Sequence, residues 1–129
     1  MRRKIVFLAT LILISPAFSQ QPKDVKTSKG KPIGLVNLVS VKPDCSAGSV
    51  GIPAVIEQPQ HGSIVMSITV LDVKASGSCP DRRLGAIVLV YVPNPDFAGS
   101  DTVTIEVPDT NKKTSVSYRV SVLDAGEKL

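Results

Sequence analysis

No tryptophan is present, and aromatic residues make up only 4% of the 129 positions. Beyond the first twenty residues the aromatics are Tyr91, Phe97 and Tyr118. A core here must therefore be assembled from Val, Ile and Leu, and the exposed aromatic faces on which sugars or unpaired bases stack are missing. His61 is the sole histidine, and Cys45 and Cys79 are the only cysteines. One imidazole with no nucleophile elbow excludes a recognisable Ser-His-Asp arrangement, and no glycine loop of the phosphate-cradling kind occurs. No apolar run approaches the ~20 residues that span a bilayer. A 3.6-residue apolar period is equally absent, and ten prolines interrupt the chain, which leaves little room for helix.

What is present at the start is an export pattern. Met1-Arg-Arg-Lys4 is a positive opening, Ile5 to Ile14 is mostly apolar, and Pro16-Ala17-Phe18-Ser19 offers small residues for cleavage before Gln20. This reads as a secretory signal peptide over 1–19. Losing Arg2, Arg3 and Lys4 reduces 15 Lys and Arg to 12 against 11 Asp and Glu, a net charge of +1. Nucleic-acid binding is accordingly not expected. Residues 20–33, with Lys23, Lys26, Lys29 and Lys31 among Ser, Thr, Gly and Pro, read as a flexible basic leader. A tail follows at 125–129.

Between them, 34–124 read as β throughout. Strands are expected near 34–42, 53–58, 62–73, 86–92, 101–107 and 114–123, separated by Pro- and Gly-containing turns. The segment Ala86-Ile-Val-Leu-Val-Tyr-Val92 is a continuous run of strand formers, while Val103, Ile105 and Val107 alternate with Thr102, Thr104 and Glu106, the period of a strand with one buried face. Residues 62–73 are apolar on both faces, which suits the middle of a sheet, and Met66 falls within that core alternation. Six or seven short strands at this spacing predict an all-β, two-sheet sandwich. If strands alternate in direction, the connections 43–52, 74–85 and 108–113 share one pole, and 59–61 and 93–100 the other. Cys45 and Cys79 then meet, and in an exported chain a structural disulfide is the expectation. His61 sits at the opposite pole, away from both thiols.

One stretch carries a more specific pattern. Tyr91-x-Pro93 is followed by Phe97-x-Gly99-x-Asp101 and an alternating strand, with Pro59-Gln-His61-Gly62-Ser-Ile64 upstream and Asp109 followed by Val116, Tyr118, Val120 and Val122 downstream. Over roughly residues 55–123 this resembles the C-terminal half of bacterial cadherin-like and immunoglobulin-like repeat domains. The resemblance implies an immunoglobulin-like or cadherin-like sandwich and carries over no ligand. A single copy and two cysteines depart from the family's pattern.

The chemistry-bearing candidates are few. His61 reads as a turn residue before a strand; a copper site would need Met66, which the alternation buries. Asp96, Asp101 and Asp109 are singly spaced, whereas calcium takes six to eight converging oxygens, so calcium and other cofactors are not expected and Asp101 is read as a turn cap. Arg82 and Arg83, in the loop stiffened by the disulfide and grouped with Lys112 and Lys113, form a candidate binding rim. The functional expectation is a non-catalytic, exported module acting through protein–protein contact at the cell envelope, in the periplasm or outside the cell. An enzyme inhibitor or a small-ligand- or metal-binding accessory protein is the competing reading.

Overall fold

The run Gly62–Val73 and its successor Arg82–Pro93 are rich in β-branched residues and are separated by a polar, glycine-containing stretch. Such a pair makes a hairpin. In the computed structural model, which describes Ile12 and residues 21–108 and 112–124, it does so over twelve paired positions, from Gly62 opposite Pro93 to Val73 opposite Arg82. In chain order the strands are β1 (Lys23–Ser28), β2 (Ile33–Leu38), β3 (Ala54–Glu57), β4 (Gly62–Val73), β5 (Arg82–Pro93), β6 (Gly99–Pro108) and β7 (Lys113–Leu123). Among the described residues there is no helix, and so none long and apolar enough to cross a membrane. The expected signal peptide, apart from Ile12, lies outside the described residues, as do the tail and Asp109.

Two sheets pack face to face. One has four strands in the order β1-β7-β6-β3, the other three in the order β2-β5-β4. All pairings are antiparallel except β1 on β7, which is parallel. The core lies between the sheets: Leu89 from β5 packs with Val103, Ile105 and Tyr118, and Tyr91 packs with Val120 and Val122. Alternation produces this directly, because every second residue of β6 and β7 faces inward. The all-β, two-sheet reading therefore holds.

Several expectations need correction. The stretch 20–33 is not simply a leader, since it supplies β1, whose Val25 packs against both core clusters and whose Thr27 is buried. The Thr27 hydroxyl donates to the Lys31 carbonyl at 2.8 Å and steadies the crossing to the other sheet. The core is not purely aliphatic, because both tyrosines are buried in it and Tyr91 is fully enclosed. Arg82 and Arg83 belong to β5 rather than to a loop. The largest correction concerns β4: among the described residues it is an edge strand, paired on one side only.

Candidate functional site

At one pole, two hairpin tips are joined. The first spans 41–47, where Val41 bridges Ala47, the Cys45 N–H donates to the Lys42 carbonyl and the Lys42 N–H donates to the Ser46 carbonyl. Pro43 pre-sets the turn, and Cys45 occupies the left-handed position with φ +71°, the place glycine usually takes in a three-residue hairpin loop. The second tip is the two-residue turn Gly77-Ser78, closed by reciprocal backbone bonds of 3.0 Å between Ser76 and Cys79. The Cys45–Cys79 disulfide links the two tips, with the Cα atoms 5.5 Å apart. This is the pole and the pairing that strand alternation predicted.

Three of the four cations of the candidate rim meet a carboxylate or a carbonyl there. Arg82 Nη1 donates to the Pro80 carbonyl at 2.7 Å, Arg83 lies 3.3 Å from Asp72, and Lys113 lies 3.6 Å from Glu106. Lys112 is exposed. A cleft of about 310 Å³ beside Arg82 and Arg83 is also lined by Asp72 and Asp81. Mixed signs give no concentrated positive field for an anion, and the exposed pairs contribute little stability.

The opposite pole is organised around Asp101, which is buried. Its Oδ1 accepts from the N–H groups of Gln60 at 3.0 Å and Thr102 at 2.9 Å. Its Oδ2 accepts from the His61 N–H at 2.9 Å and the Tyr91 hydroxyl at 2.9 Å. A carboxylate has about four lone-pair directions, and all four are used. Burial alone pushes this carboxyl up, but the bonds from Gln60, His61, Tyr91 and Thr102 together hold it below the usual carboxylate range. Burial, reinforced by the neighbouring Asp101 charge, raises the Tyr91 phenol well above its ordinary value. Asp101 therefore caps a turn, as expected, but the turn is the β3–β4 connection about 40 residues upstream, which leads from its own sheet into the other. With both oxygens saturated it has no free lone pair for a cation or a proton in transit.

The remaining motif residues support that cap. The Phe97 ring stacks on His61, with centroids 4.2 Å apart and planes 7° from parallel. Gly99 lies at φ +139° against the same ring, and Pro93 ends β5 opposite Gly62. A Cβ at Gly62 would lie 2.6 Å from the Val92 carbonyl and 2.7 Å from the buried Tyr91 ring. Gly62→Ala should therefore destabilise the protein by about 1–3 kcal/mol, the usual overpacking range. Chemical denaturation checks this, and unchanged stability would refute the close approach.

Among the described residues, no group of three or more His, Cys, Asp or Glu could hold a metal ion. What residue-by-residue reasoning missed is on β4. Ile68 is 83% exposed, and Val65, Met66 and Val70 are each about half exposed. Met66 thus lies outside the core into which its alternation placed it. A sequence signal was available: Gly62 to Leu71 contains no charged residue. Comparison with known proteins returns no matching family model, no matching curated protein and no matching solved structure.

Proposed function

We propose that this chain is an exported, non-catalytic sandwich module of the immunoglobulin type that works through protein–protein contact at the cell envelope. The observation that carries the proposal is β4, an edge strand with open backbone groups on one side and the exposed apolar side chains Val65, Met66, Ile68 and Val70. Soluble proteins keep contiguous apolar patches small unless they bind something, and an open strand edge is a standard docking surface. Three further features support the reading. The positively charged, apolar opening resembles an export signal. The Cys45–Cys79 disulfide suits an oxidising compartment. The neighbours β2-β5-β4 and β7-β6-β3 are those of immunoglobulin sheets, with the first strand moved to the other sheet.

An inhibitor that inserts its 74–81 tip into an enzyme's cleft is the second reading. It draws on the covalent clasp that stiffens this tip and on loops held by a rigid scaffold being where recognition residues are placed. One experiment separates the two. A photo-crosslinking amino acid is placed at Ile68 or at Ser78, and the protein is irradiated in its native envelope. Protein adducts from position 68 are expected. Adducts from position 78 alone would favour the inhibitor, and none from either position would sink both readings.

A further inference from the structure

The four strand edges of the sandwich are not equally protected. β1 carries Lys23, Asp24 and Lys26. β2 has six residues with a register shift between Gly34 and Val36, and β3 has four, with a register shift and Glu57. Charge, brevity and bulges are the devices by which natural sheets block edge-to-edge pairing. β4 is the least protected: it is twelve residues long, its ladder with β5 shows no register shift, and its one charge, Asp72, lies at its end, leaving Gly62 to Leu71 uncharged. It is also free of proline. Among the described residues, one edge out of four is left competent to pair.

We infer that β4 pairs antiparallel with β4 of a second copy of this chain, joining two three-stranded sheets into one six-stranded sheet of order β2-β5-β4-β4-β5-β2. The inference rests on the contact-module reading above and names its partner. Self-complementarity singles out this occupant. With a twofold axis at Ser67, Ile64 falls opposite Val70 of the other copy and Met66 opposite Ile68, twice over by symmetry. On the other face Val65 meets Thr69, and Ser63 meets Leu71. Cross-strand apolar pairs of this kind stabilise a sheet, and a shift by one residue would set each strand's inward face against its partner's outward face. The charged flank is compatible too, because Asp72 falls opposite Gly62 and Lys74 opposite Gln60, so no like charges meet. Since the described residues of each copy offer one such edge, the contact is isologous and closes at two rather than growing into a filament.

The test is sedimentation velocity over a concentration series, on the oxidised protein in the form in which cells accumulate it. A dimer is expected for the natural sequence. For Ile68→Lys the dimer should dissociate at least 100-fold more readily, with thermal unfolding of the monomer unchanged because Ile68 is already exposed. Mixed isotope labelling should show contacts between the Met66 and Ile68 methyl groups of different copies. A natural protein that stays monomeric at high concentration overturns the inference, as does a dimer indifferent to Ile68→Lys or one without those methyl contacts. If the monomer nonetheless crosslinks another protein from position 68, the contact-module reading survives and only the second copy is excluded as its partner.

Discussion

Asp101→Asn should lower stability at neutral pH by about 2–4 kcal/mol, the range for disrupting a buried, charge-assisted hydrogen-bond network. The substitution keeps the shape of the side chain but replaces one acceptor oxygen with an N–H₂ group. Three of the four partners are backbone N–H donors at 2.9–3.0 Å, so an amide must present a donor to a donor. The loss extends beyond one turn, because this carboxylate ties β6 of one sheet to the entry of β4 and to Tyr91 of β5 in the other. Tyr91→Phe removes one of the four donors and leaves the ring in place, and should cost about 1–2 kcal/mol.

The pH dependence has a definite sign. The folded-state pKa of Asp101 is depressed below its ordinary value, so folding favours the ionised form. Its contribution is fully present above the unfolded value of roughly 4 and disappears as pH falls through the folded value. The stability gap between the natural protein and Asp101→Asn should therefore be widest near pH 7 and narrow steadily below about pH 4. Asp44, held below the usual range by hydrogen bonds from Ser46, gives both proteins a small shared slope. Urea titrations at several pH values measure the gap. A gap that does not change with pH would mean that Asp101 is not the charged acceptor described.

The second large effect is expected at the opposite pole. Replacing both Cys45 and Cys79 by alanine should cost about 3–4 kcal/mol, the loop-closure value for a bridge spanning a sequence separation of 34. For a domain of this size that lowers Tm by roughly 4–8 °C per kcal/mol. The two strand ladders do not depend on the bridge, so the variant should still fold, with its losses concentrated in 41–47 and 74–81. A finer comparison follows from the backbone. Cys45 sits at φ +71°, a conformation that glycine adopts freely and other L-residues adopt at a cost of about 1 kcal/mol. The pair Cys45→Gly with Cys79→Ala should therefore be the more stable of the two cysteine-free proteins by about 1 kcal/mol. Differential scanning calorimetry distinguishes them, and an equal or lower Tm for the glycine variant would show that the loop abandons its left-handed turn once the bridge is gone.

Legibility in the sequence tracked how local the deciding interactions are. The bounds of β4 coincide with the expected 62–73 because Gly62 and the polar stretch after Val73 punctuate an otherwise uninterrupted run. β1 was hidden because only Val25 and Thr27 face inward, and its parallel partner β7 lies some 95 residues away along the chain. Arg82, Arg83 and Gly85 disguised the first residues of β5, which continue the hairpin only because Asp72 and Val73 stand opposite them. The capping role of Asp101 was readable from its motif, but the identity of its donors was not, since Gln60 and His61 are distant in sequence.

By itself the sequence determined the β class, the number of layers and the cysteine pairing, because alternation, turn residues and the parity of strand directions are properties of short segments and their order. Tertiary structure alone decided which strand stands at an edge. Two-sided apolarity describes both a central strand and an unpaired one, and the difference lies in whether another strand is available to cover it. Among the described residues β4 has β5 on one side and no strand on the other, so side chains composed for burial are left facing water.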